Sequence, residues 1–449
     1  MSDDWLTMTA CDLGRGIQHG QIDPVELTEV YLDAARQNAF RETVYARMTG
    51  QRAMDEAKSA ALRANAETRR SLLDGVPISW KDLFDTAGTA TEAGSKLLES
   101  RVPEKDALVL SNASAAGLVC LGKTHMTELA FSGLGINTST ETPPNGLDPA
   151  LAPGGSSSGA AVSTRLSIAA AGIGSDTGGS VRIPAAWNNL VGLKTSTGLL
   201  SLDGVVPLCA RFDTVGPLCR SVEDAAHLMA VMGQMPVPDL VSAKTLDIRI
   251  AVCCSTALDD CEDEPLQAFE TALQILETNG VSVVRLDIPE ATEALELASI
   301  LYTSEAYGTW GAAIEAEPDK MSAPVRARFQ IGRDQSAAEY VRAWQKLEDL
   351  RETYTKRVAA FDAVVLPASP ILPPNTEKLI ADEAYFTQKN LLALRNTRIG
   401  NLLDLCALTI PTRTDHCGFM IMGRKLEEGQ LLRIGAAFEP LIGESSQQT

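Results

Sequence analysis

The sequence predicts an α/β protein: a layered α/β/α fold with a large mixed central sheet flanked by helices. Short apolar runs alternate along the whole chain with longer segments of helical period, the pattern of buried strands covered by helices. Apolar residues fill 45% of the 449 positions, with Gly and Pro near ordinary usage, which excludes disordered, collagen-like and coiled-coil chains. No apolar run approaches the roughly 18 residues of a membrane span. A chain of this length holds one large α/β domain or two medium ones.

The elements follow in order. Asp23, Pro24 and Glu26 open a helix running to about Phe40, because Asp caps, Pro suits the first turn and Glu reaches back to the cap. Gln51 to Thr68 is Ala-rich with mixed charge and predicts an exposed helix. GVPISW, Gly75 to Trp80, is a short strand ending at Lys81; Asp106 to Ala116 is helical, and Leu118 to Thr124 is a buried strand. Ser221 caps a helix to Val231, and the Pro-containing stretch Met232 to Asp247 is a candidate boundary or excursion. Beyond it come strand IRIAVCC, helix Pro265 to Asn279, strand VSVVRLDI and amphipathic helices to about Ala360. The series closes with strand FDAVVLP, a helix over Leu391 to Leu405, strands near ALTIP and CGFMIMG, a helix ending near Glu439 and a loose SSQQT tail.

Charge and composition narrow the chemistry. There are 39 basic and 58 acidic residues, net −19, which disfavours direct binding to nucleic acid or anionic membrane. The four histidines, His19, His125, His227 and His416, are too far apart in sequence for a paired-His metal site. The nine cysteines are irregularly spaced without C-x-x-C, which predicts a reduced, cytoplasmic protein using Cys as a small buried hydrophobe.

The unusual segment is Pro153 to Gly198, dense in Gly, Ala, Ser and Thr. Such composition suits a flexible linker, but the Gly doublets beside Ser suit sharp turns whose N–H groups point at something. Gly117 to Thr124 satisfies the P-loop expression, yet its variable positions are Leu118, Val119, Cys120 and Leu121, themselves a strand, so no phosphate cradle is expected. A Ser-His-Asp hydrolase would need one of the four histidines, and His125, which alone lies near the unusual sequence, reads as a hydrogen-bonded structural residue at a helix start. What remains is a serine nucleophile with a lysine base. Ser180 follows Thr177, Gly178 and Gly179, so consecutive N–H groups can converge beside its hydroxyl as an oxyanion hole requires. Lys81 would need its pKa lowered from about 10.4 to roughly 7 or 8, within what burial delivers. Its alternative is a surface ion pair with Asp82 or Asp85.

At these residues the sequence resembles the amidase signature family. The resemblance is carried by GVPISWKDLFDTAG (Gly75–Gly88), GKTHMTELAFSG (Gly122–Gly133), PGGSSSGAA (Pro153–Ala161) and GSDTGGSVRIPAAWNNLVGLKTSTG (Gly174–Gly198). It continues more weakly through FDTVGPLCRSVEDAA, FDAVVLPASP and LLRIGAAFE, and is faintest over about 232–345. It implies hydrolysis of a small carboxamide by a Ser, cis-Ser, Lys triad, with Ser180 the nucleophile, Ser156 the bridging serine after a cis peptide bond and Lys81 the base. Thr177, Gly178, Gly179 and the Ser180 N–H would form the oxyanion hole. Ser157 would support the bridge, and Asp176 and Arg182 would brace the loop. Ser158 stands where many relatives have Gly.

The glutamine-hydrolysing component of the glutamyl-tRNA amidotransferase also belongs to this family, and it works with partner chains. Trp80 within SWKDLF departs from the pattern of that component, which favours a stand-alone amidase. The expected organisation is one domain over 1–449, with a helical arm over 1–70, a catalytic core over 71–231 and the remaining sheet and pocket helices over 232–449. Residues 133–151 and the helices over about 295–345 are expected to line the acyl pocket. The expected partner is a small-molecule amide, with no cofactor, no metal, no direct nucleic-acid contact and no membrane; a homodimer stays open.

Overall fold

The computed structural model describes residues 2–241 and 245–443. The strands are β1 (Tyr45–Met48), β2 (Pro77–Lys81), β3 (Val119–Thr124), β4 (Gly172–Asp176), β5 (Val191–Lys194), β6 (Thr214–Cys219), β7 (Arg249–Cys253), β8 (Ser282–Leu286), β9 (Ala363–Pro367), β10 (Cys406–Pro411) and β11 (Gly418–Gly423). All eleven form one sheet in the order β1-β3-β2-β4-β6-β5-β10-β11-β9-β7-β8. Strands β3, β2 and β4 are mutually parallel, as are β9, β7 and β8, and the pairings between these blocks are antiparallel. The expected mixed sheet with flanking helices is the architecture observed.

Local chemistry explains the helix ends. The Asp23 carboxylate accepts from the N–H of Val25 at 2.8 Å and of Glu26 at 3.1 Å and starts the helix Pro24–Gln37. The reciprocal bond expected from Glu26 is not formed among the described residues. Ser221 caps the helix Val222–Gly233 through the Asp224 N–H at 3.1 Å. The helix Gly50–Asn65 is exposed as expected except for a stripe of Ala53, Ala57 and Ala60, whose small side chains let it lie close to β3.

The stretch 232–247 does not divide the sheet. Strands β7, β8 and β9 lie beyond it and connect through β11 and β10 to β5. Its residues 242–244 and the SSQQT tail lie outside the described residues. The P-loop-like Gly117–Thr124 is β3 with its lead-in, and Lys123 is buried, 3.2 Å from Asp82 and donating to Thr91 Oγ1 at 2.8 Å. Its ammonium is spent inside the protein, as the apolar variable positions foreshadow. Among the described residues, no helix is long and apolar enough to cross a membrane.

Candidate active site

Strand alternation aims Lys81. On β2, Ile78 and Trp80 share one face and Ser79 and Lys81 the other. Trp80 is buried edge-on against Phe84, ring centroids 5.3 Å apart. Ser79 Oγ lies 2.8 Å from Ser163 Oγ on the helix Ser158–Arg165, so Lys81 faces the segment that leads into that helix. There Lys81 Nζ donates to Ser156 Oγ at 2.7 Å and to Ser175 Oγ at 2.9 Å. Burial pushes its pKa down from 10.5 to about 7, against the opposing pull of the Asp176 and Asp213 carboxylates. The alternative of a surface ion pair does not hold, because Asp82 faces Lys123 and Asp85 pairs with Arg101.

Glycine lets the serines approach. The β2–β4 register sets Ser79 opposite Gly172 and Trp80 opposite Ile173, which brings Lys81 level with Gly174. A Cβ on Gly174 would lie 2.5 Å from Ser157 Oγ, so any side chain here would push the serine segment off the sheet. The Gly155–Ser156 peptide bond is cis. Gly155 N–H donates to the Gly133 carbonyl at 2.8 Å, and the Ser156 carbonyl accepts from Thr127 N–H at 3.1 Å. Ser157 ties three segments together: its N–H donates to the Ser180 carbonyl at 3.2 Å, its hydroxyl donates to the Ser175 carbonyl at 3.2 Å and accepts from the Ser175 N–H at 3.3 Å.

A buried ion pair shapes the loop that carries Ser180. Arg182 Nη2 lies 2.9 Å from Asp176 Oδ1, both side chains fully buried. Asp176 also accepts from Gly179 N–H at 2.9 Å, Val181 N–H at 3.0 Å and Asn401 Nδ2 at 2.9 Å. Burial raises the Asp176 pKa, but Arg182, Lys194 and Asn401 outweigh it and hold the carboxyl below its usual range. Arg182 donates onward to the Thr397 carbonyl at 2.7 Å. Thr177 donates its hydroxyl to Asp213, which also takes the N–H groups of Leu208 at 2.9 Å and Cys209 at 3.1 Å. Gly179 has φ +138°, and a Cβ there would collide with Thr397. One detail departs from expectation: the Gly179 N–H already serves Asp176, whereas those of Gly178 and Ser180 have no partner among the described residues.

Thr177, Gly178 and Ser180 form part of the wall of a cavity of about 370 Å³. The Ser180 hydroxyl has no hydrogen-bond partner among the described residues. Most of the remaining wall is apolar, with Phe131, Leu208, Phe386 and Leu394 prominent. The expected helices over 295–345 contribute Leu295, Tyr302 and Arg328, among others. Residues 133–151 do not line the cavity, which corrects that expectation; the wall takes Ala130, Phe131 and Ser132 just before them. Sequence reasoning also missed Ser175 and the part played in the wall by the helix Glu383–Leu402, expected only as a helix over Leu391 to Leu405, which supplies Phe386, Leu394 and Arg398. Ser175 sits inside the motif-bearing stretch but carries no spacing signal; only the fold brings it to Lys81.

The amidase family model matches residues 26–432. The chain is 33% identical over 463 residues to the 2-amino-5-chloromuconic acid deaminase of Comamonas testosteroni, spanning 97% of this chain and 98% of that protein. It is 29% identical over 478 residues to the GatA component of the glutamyl-tRNA(Gln) amidotransferase of Thermosynechococcus vestitus, spanning 97% and 98%. An amidase crystal structure superposes with a TM-score of 0.88 at 28% identity, over 97% of this chain and 100% of that one. By sequence over nearly its whole length and by fold, the chain belongs to the amidase signature family and is an amide-hydrolysing enzyme.

Proposed function

We propose that the enzyme cleaves the C–N bond of a small carboxamide through Ser180 as nucleophile, Ser156 as proton bridge and Lys81 as base. The observation that carries this reading is the buried 2.7 Å contact between Lys81 and Ser156, beside a cavity onto which Ser180 opens. With a pKa of about 7, a large share of Lys81 is neutral near neutrality. Neutral Lys81 takes the Ser156 proton as Ser156 takes that of Ser180, and Ser180 Oγ attacks the amide carbon. In this reading the unpartnered N–H groups of Gly178 and Ser180 receive the developing oxyanion, with Thr177 and Gly179 setting the loop shape. As the tetrahedral intermediate collapses, the amine leaves with a proton from Ser156. Water then adds to the acyl-Ser180 ester by the same relay and regenerates the enzyme.

The test is amide turnover by Ser180→Ala and Lys81→Ala, read as ammonia or amine release across a panel of amides. Both are expected to lose at least about a thousandfold in kcat with the fold retained. Retention of most of the wild-type rate by Lys81→Ala would falsify the lysine-base assignment. The match to an amidotransferase component supports a second reading, a chain that releases ammonia from glutamine for partner chains. Co-purification with two further chains and glutamine-dependent ammonia release would favour it; turnover of simple amides by the isolated chain favours the first.

A further inference from the structure

Two cations face the cavity without a counter-charge. Arg328, on the helix Ala323–Gln330, and Arg398, on the helix Glu383–Leu402, both line it. Neither forms an ion pair or hydrogen bond among the described residues, and Arg328 Nε is buried without a partner. Arg328 does have the Phe131 ring, whose centroid lies 4.6 Å from its guanidinium carbon. The nearby carboxylates are engaged elsewhere. Asp176 holds Arg182 and Asn401, Asp213 holds Thr177 and two backbone N–H groups, and Glu305 accepts from Arg211 N–H at 3.0 Å and faces the Tyr340 hydroxyl.

Enclosing two like charges is costly unless an anion joins them. Burial and the neighbouring Arg398 push the Arg328 pKa down to about 9, and burial lowers that of Arg398. Arg398 also sits at the reacting end. Arg398 Nε lies 3.9 Å from where a side chain on Gly178 would begin, which puts it against the loop that carries Ser180. The Tyr302 hydroxyl, buried without a partner and on the same wall, offers a third donor. In a protein of net charge −19, this is a local cationic site.

We infer that the substrate amide carries a carboxylate, held by Arg328 and Arg398 with Tyr302 while its C–N bond lies at Ser180. This deepens the amidase reading and rests on it for the position of the scissile bond. Guanidinium forks match a carboxylate two bonds at a time, which a lysine pair would not reproduce. The class that fits about 370 Å³ is a monoamide of a short dicarboxylic acid.

The experiment separates binding from turnover. Ser180→Ala protein is titrated calorimetrically with succinamate, glutaramate and adipamate, and with the methyl ester of each. At least one acid is expected to bind more than about tenfold tighter than its ester. Adding Arg328→Gln or Arg398→Gln should remove that preference, and Arg328→Lys should restore only part of it. Equal binding of acid and ester, no binding of either, or a preference unchanged by both Arg variants overturns the inference. The acid–ester comparison on the Ser180→Ala protein stands even if an Arg variant fails to fold. Wild-type turnover is measured separately. Arg-dependent binding without hydrolysis would sink the amidase reading and leave the anion site, whereas hydrolysis of neutral amides with no acid preference would do the reverse.

Discussion

Replacing Lys81 by Met should stabilise the protein in mild acid and destabilise it in alkali. Folding moves the Lys81 pKa from 10.5 to about 7, so the charged form is disfavoured by about 5 kcal/mol. Because the folded value is the lower one, the unfolded chain binds more protons between these two pH values, and stability rises with pH across that window. The full cost of about 5 kcal/mol is present below pH 7; near pH 9.5 about 1.4 kcal/mol of it remains. Methionine removes this cost and also the two hydrogen bonds to Ser156 and Ser175, together worth about 2 kcal/mol. The variant is therefore expected to be more stable than wild type by about 3 kcal/mol at pH 6 and less stable by about 0.6 kcal/mol at pH 9.5. Urea denaturation at the two pH values measures both differences. A stability difference of the same size and sign at both would refute a strongly depressed Lys81. A gain in stability alongside lost activity is the usual signature of a site kept costly for its chemistry.

Other outcomes follow from the same geometry. Wild-type kcat/KM should rise about tenfold from pH 6 to pH 8 as Lys81 loses its proton; a flat profile with chemistry limiting contradicts the assignment. Ser175→Ala removes one acceptor of the Lys81 ammonium. It should lower kcat about tenfold with KM little changed, and move the inflection to lower pH, a displacement that mere loosening of the fold would not produce. Asp176→Asn breaks the buried pair with Arg182 and should cost about 3 to 5 kcal/mol at pH 7. Since the Asp176 carboxyl is held below its usual value, the contribution is complete above 3.8 and fades as pH falls beneath it. Denaturant midpoints from pH 7 down to 3 check this, and a deficit that stays constant to pH 3 rejects it.

Legibility in the sequence tracked local signal. Strands β2 and β3 stand out because their apolar runs are bounded by turns. Strands β4, GIGSD, and β6, TVGPLC, lie in the middle of the sheet yet carry Gly and Pro, which weaken strand propensity, so neither was assigned. Their composition answers to crowding: a Cβ on Gly216 would collide with the Leu193 carbonyl. Strand β1 has four residues at the sheet edge, too few for a period of two to register.

By itself the sequence determined the α/β class, because strand period is a local property of the chain, and its resemblance to the amidase signature family singled out positions 81, 156 and 180 as the candidates, because a dense motif is local too. Tertiary structure decided the rest. The burial that depresses Lys81 comes from strands and a helix distant in sequence, and its second partner, Ser175, reaches it across 94 positions. Arg328 and Arg398 stand 148 and 218 positions beyond Ser180 and meet at one cavity with no acid between them. Whether a charge is paired depends on every element packed around it, and no window of sequence contains them all.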